Sequence, residues 1–312
     1  MSYACSSHPP GNTVKNCVTF KLRAYLELSK SGIVVLVLLT GLAGALAGTS
    51  LEHGVHLRTL LIGLVGLALI ASGSLAFNQI QEVELDRKMN RTRKRPLQTG
   101  ALSMREASVF VGLTVGVGTT LLIIAEPRAA FLGLLTIALY NGLYTLWWKP
   151  RMVFGAVPGA LPGALPVLIG FSLGAHQIVH PGGVYLFLLM FFWQMPHFWS
   201  LAIRYAEDYA LGGVPTLPTV SGKEITVDQI TVWCIGYLGI ALIAPLFLPL
   251  GAPYLCAAAL MGLKIGYELW RYRQQGEKRW LRFFLWVNGS LIYFLFAVVL
   301  ELWRPYFESF FI

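Results

Sequence analysis

Long apolar runs separated by short charged segments set the pattern of this chain. Segments 32–49, 107–125, 228–250 and 283–303 each approach the roughly 20 residues that cross a bilayer core. The pattern predicts helices at about 32–51, 57–81, 106–125, 130–147, 153–174, 183–204, 228–249, 252–269 and 282–303. The expected fold class is therefore all-α, a polytopic membrane protein of about nine transmembrane helices. Residues 1–31 read as an N-terminal tail, 32–304 as one intramembrane domain, and 305–312 as a short external tail. The tail is polar and no A-x-A-like site follows the first apolar run, so no signal peptide is expected.

Composition agrees with a membrane domain rather than with the two soluble domains that 312 residues would otherwise imply. Hydrophobic residues make up 56% and charged residues 12%, with mean hydropathy +0.63; soluble domains carry about 25% charged residues. The net charge of +9 is a matter of topology. Of the 24 Lys and Arg, only Arg58, Arg128 and Arg304 fall on the side opposite the N-terminus, with Lys264 inside a helix. The positive-inside rule then puts the N-terminus and the loops at 82–105 and 205–227 in the cytoplasm and the C-terminus outside, in the inner or plasma membrane. No nucleic-acid partner is called for. Cys5, Cys17, Cys234 and Cys256 are scattered without a CxxC pair, so neither a zinc site nor a disulfide framework follows.

The two long cytoplasmic loops end alike. Ser103–Glu106 and Thr226–Gln229 both have the S/T-x-x-E/Q form of a capping box and are expected to open the third and seventh helices. The likeness hints at a repeated unit of four helices with a ninth added.

Candidate chemistry gathers where the second and sixth helices leave the membrane. Asn78, Glu82 and Asp86 are four residues apart and share a helix face, with a drift of about 40° per step. Two carboxylates and an amide suit a hard divalent cation such as magnesium, which binds through one or two carboxylates plus substrate phosphates. Arg91, Arg93, Lys94 and Arg95 follow, and arginine suits phosphate oxygens. A solvated helix end would explain Arg93, Lys94 and Arg105 but not Asn78 and Glu82, polar groups at the membrane boundary. As metal-binding groups rather than core, Glu82 and Asp86 are expected to contribute little to stability. The second segment carries Gln194 and His197 inside an apolar stretch, then Arg204, then the carboxylates Glu207 and Asp208. Pro196 is expected to kink that helix.

Asn78-x3-Glu82-x3-Asp86, followed by Arg91-Thr92 and Arg95-Pro96-Leu97, resembles the first aspartate-rich motif of the UbiA-type intramembrane prenyltransferases. The run Trp193-Gln-Met-Pro-His197-Phe198, with Asp208-Tyr209 and Gly213-x-Pro215, resembles the branch of that family that farnesylates heme. The likeness extends from about residue 25 to 300. Departures are Lys30-Ser31 where the family often has Lys-Pro, Lys149-Pro-Arg151 after the fourth helix, and Arg204 where many relatives carry aspartate.

The resemblance implies a UbiA-like bundle and a prenyltransferase using Mg²⁺. Its substrates would be farnesyl diphosphate and protoheme IX, giving heme O, with a heme A synthase or oxidase assembly proteins as further partners beside the lipid bilayer. Asn78, Glu82, Asp86, Arg91, Arg95 and Asp208 would be catalytic, and Glu82, Asp86, Glu207 and Asp208 would hold metal. Lys149, Gln194, His197 and Arg204 would contact the substrates, His197 meeting heme iron or a propionate. Three other readings stay open: a quinone- or chlorin-prenylating relative, which shares the first motif, a transporter with midplane ionisable groups, and a heme-binding assembly factor without catalysis.

Overall fold

A computed structural model describes residues 10–52 and 56–311, all of its regular elements helical. The expectations for residues 1–9, Cys5 among them, lie outside the described residues. Helix α1 (Pro10–Leu28) precedes α2 (Ser31–Glu52) and α3 (Leu57–Gln81). The first cytoplasmic loop holds α4 (Val83–Lys88) and α5 (Pro96–Thr99), and leads to α6 (Met104–Ala125). Helix α7 (Pro127–Ile137) passes without a break into a π-helical stretch, Ala138–Trp148, and then α8 (Lys149–Arg151). Next come α9 (Ala156–Ala175), α10 (Pro181–Arg204), α11 (Ala206–Gly212) and α12 (Leu217–Leu242). The chain closes with α13 (Ala252–Gln275) and α14 (Glu277–Phe311).

All nine predicted helices are present. Among the described residues, eight are long and apolar enough to cross a membrane. The exception is α13, which carries Lys264, Glu268, Arg271 and Arg273. Glu268 is fully buried against Lys264 at 2.5 Å and Arg282 at 3.6 Å. Large apolar side chains such as Leu113, Ile124, Phe131, Ile235 and Leu263 are exposed within the helices, as lipid-facing positions are.

Small residues set the tightest helix crossing. Helix α2 lies along α9, where Gly41, Gly44 and Gly48 face Gly170 and Gly174. A Cβ on Gly170 would stand 1.8 Å from the Gly41 carbonyl oxygen, and one on Gly44 would stand 2.1 Å from the Val167 carbonyl oxygen. Helices without a solvent-driven reason to associate in lipid gain contact through such close backbone approach.

Three local expectations change. The Ser103–Glu106 capping box forms as predicted. The second box does not open its helix: a short helical turn from Leu217, capped by Thr216, comes first, and after a break at Gly222 the long part of α12 is already running when it reaches Thr226. Gly222, at φ 84° and ψ 171°, bends the chain, and the Thr226 hydroxyl donates back to its carbonyl at 2.7 Å. Pro196 does not break its helix, which runs on from Pro181 to Arg204. Finally, α14 runs through Pro305 to Phe311, so residues 305–311 continue the helix.

Candidate active site

The face of Asn78, Glu82 and Asp86 survives a change of helix. α3 stops at Gln81, yet Glu82 N–H still donates to Asn78 O (3.0 Å) and Asp86 N–H to Glu82 O (2.8 Å). The three side chains therefore stay stacked, each less than a tenth exposed.

Each meets a cation. The Asp86 carboxylate pairs with Arg95, and its Oδ1 is buried without a hydrogen-bond partner. Glu82 accepts from Lys149 Nζ at 2.5 Å. Asn78 Oδ1 accepts from Lys30 Nζ at 3.1 Å, and its amide donates to Thr145 Oγ1 at 3.2 Å. Burial acts against ionisation of Glu82, but Lys149, Lys30 and Asn78 outweigh it and hold the carboxyl below the usual range. Lys30 sits in the turn between α1 and α2, outside the membrane spans. Burial, then the charge of Arg95, pushes it down to about 7, opposed by Glu82 and Asp86.

The π-helical stretch delivers Lys149. Its wider turn is common at functional sites, and here it is fastened to α3 by polar bonds. Ser74 Oγ donates to Asn141 Oδ1 (2.6 Å), and Asn141 Nδ2 donates to Ser74 O and Gln81 Oε1 (both 3.0 Å). Tyr140 and Tyr144 stack one turn apart. Tyr144, Lys149, Gly155, Phe198, Tyr209 and Pro215 line a small pocket, about 20 Å³, beside Glu82's partner.

The second segment packs on the first, and Asp208 supplies its hydrogen bonds to the arginine loop. Asp208 accepts the backbone N–H groups of Asn90 (3.0 Å) and Arg91 (3.1 Å), tying α11 to the arginine loop. Arg91 then lies over the Tyr205 ring, 4.9 Å from its centroid. Other residues of this segment go elsewhere. Glu207 is exposed, and Arg204, also exposed, lies over Trp280. Gln194 donates to Ala160 O at 3.0 Å and packs on Gly163, joining α10 to α9. His197 faces α14, with Nδ1 2.8 Å from Asn288 Oδ1.

Magnesium fits the donor set. It takes hard oxygen ligands and rarely an all-protein cage. Asp86 offers an unpartnered buried oxygen, and among the described residues no three His, Cys, Asp or Glu side chains converge on one point. Substrate phosphate oxygens would have to complete such a shell.

The pattern of the UbiA prenyltransferase family matches residues 36–296. The chain belongs to that family. This UbiA-family prenyltransferase is 45% identical over 285 residues to the protoheme IX farnesyltransferase of Bdellovibrio bacteriovorus, covering 91% of this chain and 97% of the relative. It is 35% identical to protoheme IX farnesyltransferase 2 of Bacillus subtilis, over 89% of this chain and 92% of that one. Among solved structures, a digeranylgeranylglyceryl phosphate synthase superposes with TM-score 0.74 at 18% identity, covering 91% of this chain and 99% of that one. A UbiA homologue from Archaeoglobus fulgidus, bound to GPP and Mg²⁺, gives 0.59 at 17% identity, covering 88% and 99%. These structures share the fold. The chain is thus a multi-pass membrane prenyltransferase.

Sequence reasoning did not assign Lys30, Asn141, Thr145 or Asn288 to the site. The signal for Asn141 and Thr145 was present, since polar groups inside a predicted span are costly and seek partners. Lys30 gave a weaker one, a cation at the edge of the first apolar run.

Proposed function

We propose that this chain transfers the farnesyl group of farnesyl diphosphate to a vinyl group of protoheme IX, giving heme O and diphosphate for heme–copper oxidase biogenesis. The observation that carries the reading is the half-engaged Asp86 carboxylate, buried beside the Glu82–Lys149 pair under a set of cations. The names of the relatives support heme as the acceptor.

In this reading Asp86 and Glu82, with Asn78, would hold magnesium, which would supply neutralisation of diphosphate charge. Asp208 keeps free lone pairs while fixing the arginine loop. Glu207, being exposed, receives no role, and Gln194 acts by seating α10. Arg91, Arg95, Lys149 and Lys30 meet the phosphate oxygens as the C1–O bond of farnesyl breaks, its electron pair leaving with diphosphate. The vinyl π pair bonds to C1, and water captures the resulting cation as a hydroxyl, releasing a proton. The apolar bundle keeps water from C1 until the vinyl group arrives.

We place the arginine loop and the N-terminus in the cytoplasm, with the C-terminus outside, which nine crossings including α13 require. A heme A synthase or oxidase assembly protein would take the product from this membrane. The test is direct: incubate purified protein with heme B, farnesyl diphosphate and Mg²⁺, and identify the product by mass spectrometry. Prenylation of 4-hydroxybenzoate with none of heme would overturn the acceptor.

A further inference from the structure

Helices α10 and α14 are joined by polar contacts along their length. Trp193 Nε1 donates to Val287 O at 2.9 Å, and Trp280 Nε1 donates to Ser200 O at 2.8 Å. Between them lies His197. Its ring stacks on Trp193 (centroids 4.8 Å apart, 28° between planes) and lies tilted against Phe284 (5.2 Å, 32°). Its position is fixed by neighbours that are themselves fixed.

The hydrogen bonds also decide where its proton sits. Asn288 Nδ2 donates to the Phe284 carbonyl at 2.6 Å. A carbonyl oxygen only accepts, so this bond settles which end of the amide is which and leaves Asn288 Oδ1 toward His197. That oxygen also only accepts, so the 2.8 Å contact requires the proton on Nδ1. Neutral imidazole has one N–H, and Nε2 therefore carries a lone pair. No hydrogen bond to Nε2 is present among the described residues, and Nε2 is not among the buried atoms left without a partner.

We infer that His197 binds the heme acceptor at its iron through Nε2, with Asn288 as the positioning residue that sets the tautomer. The inference rests on the heme reading above. A propionate needs a donor, and Nε2 in this tautomer has none to give. Iron needs a lone pair in a fixed direction. A histidine that ligates metal characteristically gives its other N–H to an oxygen acceptor, which orients the ring and tunes its basicity. The bond to iron forms without loss of a proton, and no charge is introduced among the aromatic rings.

The experiment uses the full-length protein in detergent, loaded with ferrous heme B in the absence of farnesyl diphosphate. Resonance Raman spectra with ¹⁵N-histidine labelling should show an iron–histidine stretching band. His197→Ala should lose the band, regain a ligand from added imidazole, and keep its affinity for farnesyl diphosphate, which reports an intact fold. Asn288→Asp, with a stronger acceptor, should move the band to higher frequency. Asn288→Ala should move it lower and weaken heme binding about tenfold or more. An unchanged band and unchanged heme affinity in His197→Ala, from a protein that farnesylates heme, would overturn the inference alone. A wild-type protein that neither binds nor farnesylates heme would overturn the heme reading and this inference with it.

Discussion

Asp86 is fixed on one oxygen and open on the other, and this asymmetry governs what its replacement does. The residue is 1% exposed and its partner Arg95 only 19%. Removing the carboxylate strands a cation, and breaking a buried pair costs about 3–5 kcal/mol. The expectation that such groups leave stability alone is therefore corrected for Asp86. Asp86→Ala should lower stability by about 3 kcal/mol at most, because Arg95 keeps some solvent. Asp86→Asn keeps the shape, and we expect it to remain folded while losing at least about 100-fold in turnover. Thermal unfolding and initial rates separate the two effects; an Asp86→Asn enzyme with near-normal turnover would remove Asp86 from the site. Arginine identity should matter unevenly along the loop. Arg95→Lys loses the planar fork beside Asp86 and should reduce turnover at least about tenfold, whereas exposed Arg93→Lys should stay within about twofold. Equal losses would mean the loop acts through charge alone.

Between helices, close backbone approach and buried polar groups both fasten the bundle. Gly170→Ala would drive a methyl group into the Gly41 carbonyl of α2, where backbone must move. We expect a loss of about 2 kcal/mol or more in thermal unfolding, while Gly116→Ala on α6, with open space around it, should be neutral. On the side opposite the arginine loop, Glu126 caps α7 and joins it to the end of α9. It is 4% exposed, accepts from His176 Nδ1 at 2.6 Å, and pairs with Arg128 at 3.1 Å. Burial raises its ionisation point, but the His176 and Arg128 bonds outweigh that and hold it below the usual range. A carboxyl lowered in the folded state contributes stability above the unfolded value of about 4.3 and loses it as pH falls through the folded value. Unfolding midpoints of wild type and Glu126→Gln should thus differ at neutral pH and converge in acid. Parallel curves would reject the pairing.

At the scale of the whole molecule, the proposed topology puts the α9–α10 connection outside and the arginine loop inside. Val179, 83% exposed between α9 and α10, should react as Val179→Cys with an impermeant maleimide added outside cells. Arg93→Cys should react only after the membrane is opened. Both variants need a background with Cys5, Cys17 and Cys256 changed to Ser, because Cys256 is exposed and Cys5 and Cys17 lie in the N-terminal segment on the same proposed side as Arg93. Labelling of Val179→Cys from the inside alone would invert the topology.

Spans, all-helical class and the first motif were legible in the residues. Length, apolarity and a spacing of four are local properties that the backbone must obey wherever the helix ends up. Hence the predicted 57–81 coincides with α3, and the Asn78, Glu82 and Asp86 face held across the change of helix. The start of α12 was not legible, since the spacing did not mark the break at Gly222 that separates the turn capped by Thr216 from the long helix. Partnerships were equally hidden. Lys30 with Asn78, Lys149 with Glu82, Asp208 with the N–H groups of the arginine loop, and His197 with Asn288 join residues 48 to 118 positions apart. Sequence by itself determined which segments enter the bilayer and which residue types could meet a diphosphate, because both follow from the cost of polar groups in hydrocarbon. Tertiary structure alone decided which cation neutralises which carboxylate and which nitrogen of His197 holds the proton. Those outcomes depend on distances between helices, and such distances are fixed by packing at positions such as Gly41 and Gly170, far from the charges they bring together.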